Sequence, residues 1–337
     1  MRVFQVEGSW SPENMRMSTR PDPKPGPGQV RVRMSASALN YRDLIIPARG
    51  YGTRQQTLPL VMLSDGCGVV ESVGEKVTSL KVGDRVCPLM FQSWPCGHPD
   101  RQRLSLTLGC EIDGTMADFM VLPEEGVAPA PSHLNDIEAA CLPTAGVTAW
   151  RALVTEGRMQ PGERVLILGT GGVSLFALQF AKVLGAHVTI TSSSDEKLAR
   201  AKAMGADELV NYRKIPEWGK YVRELSEGEG VDHVVEVGGE NTMAQSLRAV
   251  RPGGVISVIG VLSGGALNIP LGPIVTGHVR LQGITVGSRC DFLAMARAMS
   301  RHTIHPAVSR VFEFARLPSA LEFMASGAHF GKICIKH

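Results

Sequence analysis

Residues 165–174, Val-Leu-Ile-Leu-Gly-Thr-Gly-Gly-Val-Ser, constrain the fold more than any other stretch. An apolar strand ends directly in a glycine turn, and a helical pattern over 173–184 follows at once. Val173, Ala177, Ala181 and Leu184 share one stripe of that helix, with Phe176 and Phe180 beside it. Gly169 permits a tight turn. Gly171 and Gly172 carry no Cβ, so a pyrophosphate can approach the backbone, and the helix N-terminus offers it free N–H groups. The literal Gly-x-Gly-x-x-Gly pattern fails at its last position, Ser174. What carries the reading is the strand–turn–helix context and the second strand–helix unit behind it. Gly169, Thr170, Gly171, Gly172 and Val173 are the predicted phosphate cradle; a ligand-free turn is the alternative.

Strands at 165–168, 188–191, 234–237 and 255–259 alternate with helices at 196–204 and 243–250. Strands apolar on both faces, spaced by helices, predict an α/β architecture with a doubly wound parallel sheet. The end of the second strand discriminates the dinucleotide. A carboxylate there grips the ribose hydroxyls of NAD. Here the residues are Thr191, Ser192, Ser193 and Ser194, and an acid comes only at Asp195. Ser192 and Ser193 can donate to a 2′-phosphate, with Lys197, Tyr212 and Arg213 nearby, so NADP(H) is expected over NAD. Gly238, Gly260 and Val261 follow later strands, where ligands of such sheets lie.

The first 130 residues are β-rich. Short strands at 30–34, 85–89 and 118–122, joined by turns rich in Gly and Pro, predict a compact barrel-like domain. Residues 95–114 fit no period and read as a surface excursion, and Phe91, Trp94 and Phe119 are candidates for an apolar substrate wall or for interior packing. Helices are predicted at 135–141, 146–155, 292–300 and 317–326. A terminal strand at 332–336 is expected to rejoin the first domain. The division is therefore 1–130 with 300–337 for the catalytic or substrate domain, and 131–299 for the nucleotide domain.

The 35 basic and 32 acidic residues are nearly balanced and form no long basic run, which argues against a nucleic-acid partner. Residues 1–12 lack the pattern of a signal peptide, and no apolar stretch is long enough to span a membrane, so a cytoplasmic protein is expected. Seven cysteines, at 67, 87, 96, 110, 141, 290 and 334, form no Cys-x-x-Cys pair. That spacing argues against a disulfide scaffold and a thiolate metal site, and predicts small core residues.

Several motifs in order resemble the medium-chain dehydrogenase/reductase superfamily, and within it the zinc-independent quinone oxidoreductase-like branch. They are Ala38-Leu39-Asn40-Tyr41-Arg42-Asp43, Asp65-Gly66-Cys67-Gly68-Val69-Val70, Val82-Gly83-Asp84-Arg85-Val86, residues 142–150, Val286-Gly287-Ser288-Arg289 and Phe330-Gly331-Lys332. The resemblance implies a GroES-like β-barrel catalytic domain and a Rossmann nucleotide domain. Asn40 and Ser64 stand where zinc alcohol dehydrogenases place metal ligands, so no metal site is expected. The resemblance also puts Asn40, Thr148, Gly287, Ser288, Arg289 and Lys332 near the cofactor, and it implies a homodimer formed by pairing of sheet edges around 255–260 and 283–287. Without a Lewis acid, an activated acceptor is expected: a quinone or an α,β-unsaturated carbonyl. Tyr41 is the candidate donor to the substrate, Asn40 its neighbour at the nicotinamide, and Asp43 the group that orients them. An enoyl-thioester reductase, an alcohol dehydrogenase and a non-catalytic NADPH-binding protein are the alternatives.

Overall fold

The computed structural model describes residues 1–337 and divides into two compact units, residues 1–147 with 286–337, and residues 148–285. Residues 131–147 and 286–299, which the sequence division places in the nucleotide half, pack in the first unit. The physical reason is local. Arg289 and Cys290 donate their backbone N–H groups to Trp94 O and Pro95 O, at 3.0 Å each. The helix Arg289–His302 is thereby zipped to the excursion that follows the strand Arg85–Pro88.

The first unit is built on a seven-stranded sheet. Its path runs Val308–Glu313, Lys332–Lys336, Gln29–Ala38, Asp65–Val73, Arg85–Pro88 and Val127–Pro129, and Phe119–Pro123 also pairs with Gln29–Ala38. The alternation over Gln29–Ala38 turns Val30, Val32 and Met34 inward, where they meet Val70, Val86, Leu108, Met120 and Leu122. The terminal strand, expected from the sequence to rejoin the first domain, pairs antiparallel with this strand, Cys334 opposite Ala38. Arg2–Val6, Met15–Thr19, Val127–Pro129 and Val308–Glu313 were not legible. Arg2–Val6 and Met15–Thr19 form a small separate sheet with Leu60–Val61, and Met15–Thr19 has too little apolar alternation to signal it.

The second unit is a six-stranded, wholly parallel sheet. Its order is Glu208–Asn211, His187–Ser192, Arg164–Ile167, Val231–Glu236, Val250–Val258 and Arg280–Gly283. In sequence rank this is 3-2-1-4-5-6, the doubly wound order whose topological switch lies beside the first strand. The glycine turn therefore opens at the switch point, at the carboxyl end of Arg164–Ile167. The helix Gly172–Val183 buries Leu175, Phe176, Ala177, Leu178, Phe180 and Ala181; of the predicted stripe Ala177 and Ala181 are buried, while Val173 in the first turn and Leu184 just past the last are half-buried. No helix is long and apolar enough to cross a membrane.

The cysteines behave in two ways. Cys67, Cys87, Cys110, Cys141 and Cys334 are buried and free, as small core residues. Cys96 and Cys290 instead form a disulfide across 194 residues, with Cα atoms 5.2 Å apart. A single bridge between such distant positions leaves no spacing signal in the sequence.

Candidate active site

In the nucleotide unit the glycine turn has the geometry a pyrophosphate needs. Gly169 has φ +72°, a left-handed conformation that side chains other than glycine adopt at a cost. Gly171 caps the helix Gly172–Val183 with no side-chain bond to its N–H groups, and a Cβ at Gly171 would meet no atom within 4 Å. Space and free donors thus coincide at one helix N-terminus. Ser174, the residue that breaks the glycine pattern, donates its hydroxyl to Leu168 O at 2.7 Å and braces the turn from inside.

At the end of the second strand, Ser192 is buried and Ser193 half-buried. Ser194 caps the helix Asp195–Ala203 by accepting from Lys197 N. Asp195, the first acid after the strand, accepts from Asn211 Nδ2 and Lys214 Nζ, both at 2.6 Å, so its carboxylate is committed away from the serines. Lys197 is half-buried, and burial pulls its pKa below the ordinary lysine value. Tyr212 is 42 % exposed and its backbone N–H donates to Ser192 O at 3.2 Å, which holds it beside the same strand end.

The two later glycine loops have structural partners. Glu236 is fully buried, and sequence reasoning missed it. Its carboxylate accepts from Gly238 N (2.8 Å), Gly239 N (3.1 Å), Thr242 Oγ1 (2.6 Å) and Ser246 Oγ (2.5 Å). Gly238 therefore offers its amide to Glu236. Gly260 packs so closely on Val237 that a Cβ would lie 2.1 Å from Val237 O, while Val261 is 56 % exposed. A buried acid that organises a loop shows in sequence only as one Glu at a strand end, which carries no signal by itself.

In the barrel unit, five side chains from separated segments converge. Lys332, 3 % exposed at the start of the terminal strand, donates its ammonium to Asn40 Oδ1 at 2.7 Å and to Leu39 O at 2.5 Å. The same nitrogen lies 3.5 Å from Asp65 Oδ2. Asp65, fully buried at the start of its strand, accepts from Thr144 Oγ1 at 2.6 Å through its other oxygen. Asp43, 1 % exposed, accepts from Asn40 N at 2.8 Å and so fixes the backbone that presents Asn40. Burial pushes the Asp43 carboxyl up to about 7, against the lowering influence of the Asn40 bond and of Arg42. Asn40 Nδ2 and Ser64 Oγ are both buried without a hydrogen-bond partner. Tyr41, at the head of the short helix Arg42–Ile45, is 47 % exposed.

Lys332 was expected on a cofactor phosphate; its ammonium is turned inward to Asn40 and Asp65. Ser288 caps its helix in a reciprocal box with Asp291, which takes both its hydroxyl and its N–H. Gly287 packs against Val147 and Asp291. Arg289 Nε donates to Val127 O at 3.1 Å. Thr148 is buried at the start of the second unit. Phe91 and Trp94 are buried in an edge-on pair 5.7 Å apart, so they pack the interior; Phe119 is half-buried under Arg31. The parts of the excursion that are open to solvent are 95–102 and Leu106.

The family described as "Alcohol dehydrogenase GroES-like domain" matches residues 26–132, and "Zinc-binding dehydrogenase" matches residues 172–301. A zinc-type alcohol dehydrogenase-like protein of Schizosaccharomyces pombe is 44 % identical over 309 residues, covering 90 % of this chain and 89 % of its own. The chain belongs to the medium-chain dehydrogenase/reductase superfamily. It is an oxidoreductase of the alcohol dehydrogenase-like kind, with a dehydrogenase fold that binds nicotinamide cofactors. A solved NAD-dependent alcohol dehydrogenase is 34 % identical with a TM-score of 0.92, each chain fully covered. The 2-octenoyl-CoA carboxylase reductase CinF, solved with NADP and 2-octenoyl-CoA, is 26 % identical with a TM-score of 0.88, covering 96 % of this chain and 82 % of its own.

The zinc in these family names does not fit the polar cluster of this chain. Three Cys, His or carboxylate ligands are needed around an open position. The side chains gathered here are an amide, two hydroxyls and two carboxylates, one short of a ligand set, with Asp43 held on Asn40 N and an ammonium already between Asn40 and Asp65. Nowhere do three His, Cys, Asp or Glu side chains group as metal ligands. The match carrying the zinc-binding description begins at 172, beyond all of these residues except Lys332, which lies past its end.

Proposed function

We propose that this protein is a zinc-independent, NADPH-dependent reductase of quinones or α,β-unsaturated carbonyl compounds. The observation that carries the reading is the Lys332 ammonium between Asn40 and Asp65. It occupies the region where the zinc members of this superfamily need a metal, and it does so with no free coordination position. A substrate oxygen there meets hydrogen-bond donors and no Lewis acid, so the acceptor must itself spread the charge that arrives with hydride.

NADPH supplies the hydride when bound. Gly169 to Val173 would hold the pyrophosphate, and Ser192, Ser193, Lys197 and Tyr212 the adenosine end. The commitment of Asp195 to Asn211 and Lys214 supports the 2′-phosphate reading, because its charge is offset there and it is not free to grip ribose hydroxyls. Asp43 and Lys332 then act as positioning residues. One fixes the backbone of Asn40 and the other its side-chain oxygen, which leaves the Asn40 amide as a donor beside the exposed Tyr41 phenol. Tyr41 would deliver a proton or a hydrogen bond to the reduced acceptor.

A second reading, reduction of enoyl thioesters, draws on the likeness to the NADP-bound CinF. The homodimer remains a proposal. Arg280–Gly283 is one of the two edge strands of the nucleotide sheet, and Leu271 and Val275 nearby in sequence are 70 % and 68 % exposed. Val250–Val258 is paired on both sides, so of the stretches the resemblance implies it offers no free edge.

The test is oxidation of NADPH and NADH by metal-free protein against quinones, enones, enoyl thioesters and simple ketones. Turnover confined to activated acceptors, and faster with NADPH, is the expected result. Turnover restricted to simple ketones and dependent on added zinc overturns the reading.

A further inference from the structure

The exposed part of the excursion is held to the rest of its unit by a single kind of tie. Its start is fixed by backbone, through the bonds from Arg289 N to Trp94 O and from Cys290 N to Pro95 O. Beyond Pro95, the hydrogen bonds and ion pairs of residues 96–103 stay within residues 94–105. Trp94 Nε1 donates to Gly97 O, Arg103 bonds to His98 O and Asp100, and Leu104 N donates to Asp100 O. The Cys96–Cys290 disulfide is what joins this stretch to the helix Arg289–His302.

These two cysteines also differ from the other five in access. Cys67, Cys87, Cys110, Cys141 and Cys334 are buried thiols. Cys141 and Cys334 lie with sulfurs 3.4 Å apart and still carry no bridge. Cys96 and Cys290 are both exposed, where a dissolved thiol can meet them. Exposed disulfides are the kind that exchange with the thiols around them.

The surroundings allow the bridge to open and to close again. The two backbone bonds hold Pro95 on the start of the helix whether or not the sulfurs are joined. Cys96 therefore stays one residue from a fixed point, and the bridge re-forms without a long search. Opening it frees residues 96–103, which have no other bond outside the excursion. The two sulfurs are not equivalent. Cys290 is the second residue of a 14-residue helix, and its neighbours Arg289 and Asp291 carry opposite charges. A thiolate released there lies at a helix N-terminus, which favours negative charge.

We propose that Cys96–Cys290 is a thiol-exchange site, a reversible latch on the excursion, whose reactant is a small thiol. A thiolate attacks Cys96 Sγ, the Sγ–Sγ bond breaks, and Cys290 leaves as the thiolate. A second thiolate then attacks the sulfur of the attached thiol, a small-molecule disulfide departs, and Cys96 is released as a thiolate. The two protein thiolates take the two protons given up by the reacting thiols. Two small thiols are thereby oxidised to one disulfide, and the protein disulfide is reduced to two thiols. The proposal stands apart from the reductase reading.

The experiment incubates folded wild-type protein with reduced glutathione and reads alkylation of cysteines, the position of the first glutathione adduct, and trypsin cleavage after Arg101 and Arg103. Cys96 and Cys290 should become alkylated while the five buried thiols stay unmodified. The first adduct should sit on Cys96. Cleavage should accelerate about 10-fold or more, because proteolysis follows the opened population, and oxidised glutathione should restore the slow rate. Cys96→Ser should be cut at the fast rate without glutathione. A bridge that glutathione opens only in denaturant, or equal cleavage with the bridge open and closed, overturns the proposal. A first adduct on Cys290 overturns the order of attack. If the protein is isolated with both thiols free, oxidised glutathione must close the bridge, and failure to do so overturns the proposal. If Cys96→Ser does not fold, the wild-type cleavage rates before and after glutathione decide.

Discussion

The glycine turn of the nucleotide unit and the polar cluster of the barrel unit are built in opposite ways. The turn is local. Ten consecutive residues make the strand, the left-handed Gly169 and the helix N-terminus, and the binding groups are backbone N–H donors. The cluster is assembled from Asn40, Asp43, Asp65, Thr144 and Lys332, which come from four separate stretches of chain and meet only because Lys332–Lys336 returns to pair with Gln29–Ala38. The first kind of site needs space and fixed backbone. The second needs every side chain to satisfy its neighbour. They should therefore fail differently, one losing ligand without losing fold and the other losing both.

The largest expected effect tests the first half of that contrast. Gly171→Asp places a carboxylate where the pyrophosphate would sit, yet its Cβ meets nothing within 4 Å. Cofactor affinity should fall by about 100-fold or more, with a melting temperature near wild type. A large drop in stability would show the turn to be packed rather than open. The second half is tested by Lys332→Met. It leaves Asp65 buried without its cation and should cost about 3–5 kcal/mol in denaturant unfolding. Added zinc should not restore activity, because Asn40 and Thr144 are not zinc ligands.

Asp43 makes the cluster sensitive to pH in a definite direction. Its folded pKa, about 7, lies above the ordinary aspartate value. Its contribution to stability is therefore full below about pH 4 and is lost as pH rises through 7. Asp43→Asn should flatten that part of the stability profile, by an amount on the order of a few kcal/mol between pH 4 and 8. An unchanged slope would place the ionised carboxylate in the native cluster at all these pH values. The smallest effect is at the adenosine end. Lys197→Ala should reduce NADPH affinity by about 5-fold to 10-fold while leaving NADH nearly untouched, since a charge pair at a half-buried, solvent-reached lysine is worth about 1 kcal/mol. Equal losses for both cofactors would remove Lys197 from the 2′-phosphate site.

Legibility in the sequence followed the same division. The strand–turn–helix at 165–184, the parallel sheet and the returning terminal strand were readable, because periodicity and glycine placement are local signals. The edge strand Arg280–Gly283 and the helix Trp218–Leu225 were not predicted; the strand is only four residues long and half-exposed. Asn40, Tyr41 and Asp43 were singled out through a motif. The partners that give them meaning were not: Thr144 on Asp65, and the Lys332 ammonium on Asn40. The partners of Lys332 lie far away in the chain, and no spacing rule encodes that. Glu236, whose partners are close in sequence, and the unpaired Arg42 were missed because a single charged residue carries no signal by itself.

The central claim is that hydride goes from NADPH to an activated acceptor with no metal. The most direct measurement follows NADPH and NADH oxidation by chelator-treated protein, with and without added zinc, against an enone, a quinone and a simple ketone. The account predicts NADPH-preferring turnover of the enone or quinone that zinc leaves unchanged. Turnover of the ketone that appears only with zinc would contradict it.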